Sequence, residues 1–420
     1  MRKENLMLRS TSPHFKRITN QVGATAILVG LLMVVFVGLA ALAVDIGHLY
    51  LVRNELQNAS DAGALAGARV LYNEDGTEVN EGANATAYDA AVANMSEKTS
   101  VDVHWNGDNS GDIERGHWSF ATRTFTPNDS TVPVDLWNVT AEELDANVDF
   151  INAVRVRARR QDTPAASFFG RIFGYDHFIL SAESVAYIGF AGTLAPFDAD
   201  QPIAICQESI LEDGIYTCNI GRMINSGVNE ATNETGGWTS FYQGDDACQG
   251  GTNAQEVRSL VCGEGNPEPL ILGKNMATSG GEISPAFRRF RQCWETQTGR
   301  MTSWTITLPV VECPSNNMGT CARMVGTVTV EVVWVTDEGT DPHYNNAPWA
   351  VEDWSSADPD GQQRWASFAQ HFSLQNVDGT PAPYQNMAIY FKPDCDPHIP
   401  SGRTGGENFG ILARIPVLVK

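Results

Sequence analysis

Residues 24–44 read ATAILVGLLMVVFVGLAALAV, 21 consecutive uncharged and mostly apolar positions. About 20 such residues cross the hydrocarbon of a bilayer as a helix. A helix that is apolar all round needs lipid or protein on every side. The run therefore reads as a transmembrane anchor, and most of the chain must lie on one side of a membrane. The balance of charge sets the direction. Arg2, Lys3, Arg9, Lys16 and Arg17 stand before the run against Glu4 alone, a balance of +4. The whole chain carries −22, so the part beyond carries −26. Positive flanks stay in the cytoplasm, which puts residues 1–23 inside and the body outside. A cleaved signal peptide is the alternative, with Ala41-Leu42-Ala43 as its A-x-A site. The apolar run is longer than a signal core of about 7–15 residues and continues as a helix.

That continuation, DIGHLYLVRNELQNASDAGALAGARVLY, keeps a helical rhythm. Leu42, Ile46, Leu49, Val52, Leu56, Ala59, Gly63, Ala66 and Val70 recur at spacings of three and four, one stripe of a stem helix over 45–72. Towards its end the stripe turns from leucine to Ala66, Gly63 and Gly67, so it is shallow and admits a close neighbour. Such faces pack helix on helix or helix on sheet, and both options stand. A helix over 24–71 is about 70 Å long at 1.5 Å per residue, too long for a span alone. Asp45 either marks the outer interface or meets a neighbouring stem. Asn73 to Gly76 supplies turn chemistry, and a second alanine-rich helix is expected over 82–95.

Strand patterns follow at 116–125, 152–158 and 178–187, with a short helix at 167–173. In the second strand Val154, Val156 and Ala158 alternate with Arg155, Arg157 and Arg159, a half-buried strand with a polar outer face. The fold class is α+β: a long N-terminal helix with a small antiparallel sheet, through about residue 190. Beyond, glycine, proline, asparagine and aspartate separate β-prone runs at 304–311, 325–336, 387–391 and 411–419. All eight cysteines (Cys206, Cys218, Cys248, Cys262, Cys293, Cys313, Cys321, Cys395) lie here, none in a C-x-x-C pair. An even number confined to the exported part reads as disulfides in an oxidising space. Near-neighbour pairing gives Cys206–Cys218, Cys248–Cys262, Cys313–Cys321 and Cys293–Cys395. Residues 191–420 thus read as a β-rich, disulfide-stapled domain.

The ordered pattern Ala43-Val-Asp-Ile-Gly-His-Leu-Tyr50 with Glu55-Leu-Gln-Asn-Ala-Ser-Asp-Ala-Gly-Ala-Leu-Ala-Gly67, followed by Asn152-Ala-Val-Arg-Val156, Phe168-Phe-Gly170 and Leu180-Ser-Ala-Glu-Ser-Val-Ala186, resembles the TadG-like Flp pilus assembly proteins of the TadE/TadG group, over about residues 15–190. The resemblance implies a bacterial inner-membrane protein with a pilin-like stem and a periplasmic body. It also implies a structural, pseudopilin-like role, with inner-membrane lipid and other Tad/Flp components as partners. No catalysis, cofactor or metal is implied. Pilins of this system carry a glutamate five residues after the processing glycine. Counted from Gly23 that position is Leu28, so the processing site Gly23–Ala24 lacks its carboxylate and a retained anchor is expected. Larger relatives carry a D-x-S-x-S metal-adhesion loop; Asp353-Trp-Ser-Ser-Ala357 lacks its last serine.

No G-x-S-x-G, H-E-x-x-H or G-x-x-x-x-G-K-[ST] pattern occurs, and Gly273-Lys274-Asn275 reads as a turn. Asp341-Pro-His343 and Asp394-Cys-Asp-Pro-His398 carry metal-ligand residue types, but at no ligand spacing. The acidic loops Gly244-Asp-Asp246 and Asp358-Pro-Asp-Gly361 lack the EF-hand register and read as solvated turns. Of ten tryptophans, Trp304 and Trp334 are expected in the core and Trp349 with Trp354 exposed, where an adhesive surface would present them. The acidic balance excludes nucleic acid as a partner. Two other readings remain: a processed adhesin or minor pilin at a filament tip, and an exported hydrolase with a dispersed site.

Overall fold

The apolar run and the stem form one unbroken helix, Val22–Arg69, of 48 residues in a computed structural model that describes residues 22–73, 78–137, 139–212, 215–218, 223–225, 235–280, 283–314, 318–337, 343–375, 379–385 and 387–420. The basic segment 1–21 and residues 74–76 of the expected turn lie outside the described residues. No proline interrupts the helix, and its second half is built from strong helix formers. In the isolated chain residues 25–44 are almost all exposed. From Asp45 onward one stripe is buried, running through Val52, Leu56, Ala59, Gly63 and Gly67. Leu42 and Ile46 lie off that stripe and are exposed, while Leu49 and Ala66 are half-buried. Ile46 follows Asp45 by one residue, a rotation of about 100°, which turns it away from the covering sheet.

The sheet beneath the stem has five antiparallel strands in the order Val417–Leu418, His177–Tyr187, Ala153–Ala166, Ile113–Ser119, Thr124–Pro127. Val154, Val156 and Ala158 are buried towards the stem. On the opposite face Arg155 pairs with Glu114, Arg157 with Glu183 at 2.5 Å, and Arg159 Nε with Asp112 at 2.9 Å. The second helix, Ala83–Val92, packs its alanines 83, 87 and 91 into the same core. The expected strand over 116–125 is two strands joined by a turn in which Arg123 has φ of +55°. The apolar alternation runs on through Phe120 without a glycine or proline, so the sequence carries no break there. The short helix expected at 167–173 is a 3-10 turn, Gly170–Phe173.

Glycine lets the stem approach. A Cβ on Gly63 would stand 2.9 Å from the Ala91 Cβ and 3.1 Å from Val156 Cγ1. One on Gly67 would stand 2.8 Å from the Ala87 Cβ and 3.0 Å from Val154 Cγ1. All four distances are shorter than the separation at which carbons pack best.

The second layer is an eight-stranded sheet whose pairings return to their start. Cys321–Val335 pairs with Asn275–Ser279, that strand with Gly236–Thr239, and that with Ile203–Cys206. The last runs parallel to Trp304–Val311, which pairs back with Cys321–Val335. Ala388–Phe391 extends it. Of the expected β-prone runs, 411–419 is the exception. Only Val417–Leu418 is a strand, and it joins the first sheet, zipped to Val185 through bonds of 2.9 Å on both sides. The chain end therefore returns to the stem-bearing module.

The β-rich domain also contains helices that its loop-rich composition hides. Ser284–Thr298 buries Phe287, Phe290 and Trp294, and Gly361–His371 buries Trp365 and Phe368. Trp238 meets Phe287, and Trp294 meets Trp334, each edge to face at 5.0 and 4.9 Å.

All eight cysteines are paired, but not with their sequence neighbours: Cys206–Cys313, Cys218–Cys395, Cys248–Cys321 and Cys262–Cys293. Strand order decides this. Cys206 lies opposite Val311, and Cys321 opposite Ala277, so each sulfur meets a chain distant in sequence.

Both the glycine contact and the disulfide pairing can be tested directly. Gly67→Val is expected to cost about 1–3 kcal/mol as an overpacked contact, read as a lower urea midpoint of the detergent-solubilised protein. Non-reducing peptide mapping is expected to recover the four long-range pairs, and Cys218→Ser with Cys395→Ser to lower stability by about 2–5 kcal/mol.

Candidate functional site

The stem meets its sheet through polar contacts as well as apolar ones, and the most concentrated lies where the apolar run ends. Asp45 is buried. Its carboxylate accepts the backbone N–H groups of Phe168 at 2.9 Å, Phe169 at 3.1 Å and Gly170 at 2.6 Å, and the Ser167 hydroxyl at 3.1 Å. These are orphan donors at the start of the 3-10 turn Gly170–Phe173, so Asp45 caps an element far from it in sequence. A Cβ on Gly170 would lie 2.5 Å from Ser167 Oγ and 3.3 Å from the Asp45 carboxylate. Burial pushes the Asp45 carboxyl up, but the donors of Gly170, Phe168, Phe169 and Ser167 outweigh it and hold it below its ordinary value.

Further along, His48, Glu55, Gln57, Ser60 and Asp61 of the stem have partners on the sheet or beside it. His48 Nε2 lies 2.8 Å from Glu97 Oε1, and Arg160 approaches the other Glu97 oxygen at 2.9 Å. The His48 ring packs edge-on to Phe168 at 4.9 Å. Glu55 accepts the Ser96 hydroxyl at 2.9 Å and the Glu97 N–H at 3.1 Å. Gln57 donates to Ser184 at 2.8 Å, Ser60 shares a hydroxyl contact with Ser184 at 2.7 Å, and Ser184 donates to Asp61. Sequence reasoning places Asp45 at an interface but misses Gln57, Ser60, Asp61 and Ser184. The available signal is polar side chains interrupting a stripe of small residues, which buried helices do not carry without partners.

The other suspected chemistry is taken up by structure. Among the described residues no group of three or more metal-ligating side chains comes together. Asp341 lies outside them, and His343 is exposed. In the other string, Cys395 is bonded to Cys218, Asp396–Pro397 pairs with the long strand, and burial pulls the His398 imidazole below its ordinary pKa. Asp360 caps the helix Gly361–His371 by accepting from Gln362. A groove of about 600 Å³ contains Asp246 and Glu256. Asp246 accepts the Tyr242 hydroxyl at 2.5 Å, and Glu256 closes a capping box with Asn253. Trp354 is buried at 6% exposure against Phe368, contrary to the expected exposed pair, because the helix Gly361–His371 covers it. Trp349 is 54% exposed and lies 3.6 Å under the buried Arg364 guanidinium. Trp334 is in the core, and Trp304 packs against it.

Residues 23–70 match a family model described as "Putative Flp pilus-assembly TadE/G-like", and residues 66–186 match one described as "Putative Tad-like Flp pilus-assembly". Over residues 23–186 the chain is thus similar to TadE/G-like Flp pilus-assembly proteins. Neither the curated proteins nor the solved structures hold a significant match. The TadG-like region ends at Ala186, within the strand His177–Tyr187 that carries Ser184. It thus encloses Asp45, Glu55, Ser60 and every partner described for them. Gly23 and Ala24 lie inside the long helix of this TadG-like region, and Leu28 is exposed on it.

The Asp45 contact has a pH signature. A carboxyl whose folded pKa lies below its unfolded value of 3.8 contributes stability that is present above that value and lost as pH falls through the folded pKa. Asp45→Ala is therefore expected to lower the melting temperature at neutral pH, with the difference from wild type closing as the solution is acidified. A difference unchanged down to about pH 2 would assign the loss to packing instead.

Proposed function

We propose that this TadG-like chain is a single-pass, non-catalytic component of Flp pilus assembly. It is held in the bacterial inner membrane with residues 1–23 in the cytoplasm and its disulfide-bonded body in the periplasm. The observation that carries this reading is the division of one helix into two environments. Residues 25–44 are apolar and uncovered, and the helix is long and apolar enough to cross a membrane. The remainder, from Asp45, is clamped to a sheet. Four disulfides fit an oxidising compartment, and the basic flank fits a cytoplasmic N-terminus.

The mechanism is mechanical. The span positions the body and meets neighbouring transmembrane helices through Leu42, Ile46 and the apolar residues before them. Gly63, Ala66 and Gly67 serve the stem's own sheet and helix, with Ala66 at the margin of the contact. The periplasmic surface, with its −26 charge, selects pilus or envelope partners by charge complementarity more than by raw affinity. Leucine at position 28 gives a neighbouring subunit's amino terminus no counter-charge in a filament, which favours a retained anchor over a released subunit.

Intact-mass measurement of the membrane-extracted protein tests the reading. The expected result is a chain that keeps the residues before Ala24, resists carbonate extraction and has no free thiol. A mature chain beginning at Ala24 would make it a processed subunit, and release by carbonate would remove the anchor.

A further inference from the structure

The hairpin tip beside Asp45 is apolar and uncovered. The strands Ala153–Ala166 and His177–Tyr187 run along the stem, with Ser184 beside Ser60 and residues 167–170 beside Asp45. The lengths agree. From Ser60 back to Asp45 the helix rises about 22 Å at 1.5 Å per residue. From Ser184 back to His177 an extended strand covers about 23 Å at 3.3 Å per residue. The hairpin therefore reaches the level at which the apolar run ends, one residue after Val44.

The tip is a fixed turn that holds its apolar side chains outward. Asp45 caps its start, Gly174 N–H bonds to Arg171 O at 3.1 Å, and Tyr175 N–H bonds to Gly170 O at 3.1 Å. Gly174 takes φ of +88°, a conformation that ends the turn and favours glycine. On this scaffold Ile172 is 74% and Phe173 76% exposed, and Phe168, Phe169, Tyr175 and Ile179 are exposed as well. Arg171 stands exposed among them. A rigid apolar cluster of this kind is costly in water and marks a contact surface. Aromatic and aliphatic side chains around an arginine are the composition of a segment that rests in the membrane interface.

We propose that the hairpin tip Phe168–Tyr175 is a second membrane contact. Ile172, Phe173 and Tyr175 enter the interfacial layer of the leaflet from which the stem emerges, and Arg171 faces the headgroups. The occupant is lipid because the covalently continuous span fixes the tip's depth: Asp45 holds it within hydrogen-bond distance of the last apolar turn. One helix leaves the body free to tilt and rotate, and a second lipid contact beside it removes that freedom. The body then stands at a set height and angle for its partners. This inference rests on the anchored reading above.

The test uses the full chain in liposomes at low protein density, with a single environment-sensitive fluorophore at Phe173→Cys. Phe36→Cys in the span and Glu142→Cys, exposed on the short helix Ala141–Ala146 of the body, serve as references. The expected result is blue-shifted emission at positions 173 and 36, quenched by lipids carrying a nitroxide high on the acyl chain, with neither effect at 142. Lipid quenching at 36 but not at 173 overturns the second contact and leaves the anchor intact. A probe at 173 that neither lipid nitroxide nor aqueous iodide reaches is covered by protein, which also overturns it. Absence of lipid quenching at both 36 and 173 removes the anchored reading, and the second contact with it. As a parallel check, Ile172→Asp with Phe173→Asp is expected to leave carbonate resistance unchanged. The same pair is expected to abolish lipid quenching at an adjacent Tyr175→Cys probe; retained quenching there counts against the proposal.

Discussion

The close docking of the stem on its sheet is the contact on which the rest of the molecule depends. A helix that leaves a bilayer as an isolated rod does not fix the orientation of the domain it carries. Here Gly63 and Gly67 remove the side-chain layer between helix and sheet, so that Val154, Val156 and the alanines of the second helix reach the stem backbone. Apolar packing of this kind supplies most of the attraction but fixes rotation poorly along a row of near-identical small residues. The polar contacts at Asp45, Glu55, Ser60 and Asp61 supply what packing lacks. Each is satisfied only when stem and sheet share one register, and a slip by one turn would leave the buried Asp45 carboxylate without partners.

The second domain inherits its position from the first. The chain end returns as a strand on His177–Tyr187, and Lys420 Nζ reaches Glu183 at 2.8 Å. Leu136, Leu144, Phe150, Phe190 and Leu412 form a small core that draws on both parts of the chain. The disulfide-bonded domain is thus entered and left through the stem-bearing module. Its ring of strands is closed, which leaves fewer bare edges, and the disulfides join chains as far as 177 residues apart.

Much of the stem was legible because lipid and helix periodicity act on consecutive residues. The long apolar helix, the second helix, the alternating strand at Val154–Ala158 and the strands expected at 304–311 and 325–336 all follow from local patterns. The hairpin inside 116–125 was not legible, because the turn at Arg123 uses no turn-forming residue. The helices Ser284–Thr298 and Gly361–His371 were missed although their boundaries carry signals: Pro285 at the start and Gly299 after the end of one, and the Asp360 cap of the other. Their apolar faces are narrow and dominated by aromatics, which mimic β-prone runs. Trp354 was misplaced because its cover is one of those two helices, and a loop without that helix leaves an indole in solvent.

The sequence alone determined the long apolar helix, the charge asymmetry around it, the helical stem and the oxidised state expected of eight cysteines. These depend on composition and on neighbours within a few residues, where chain connectivity does the work. Tertiary structure alone decided which cysteines pair, which strand the C-terminus joins, and that Asp45 caps a turn more than a hundred residues away. Those outcomes depend on which surfaces meet once the helix lies on the sheet. Sequence spacing does not encode that meeting, because burial and hydrogen-bond satisfaction are summed over the whole fold.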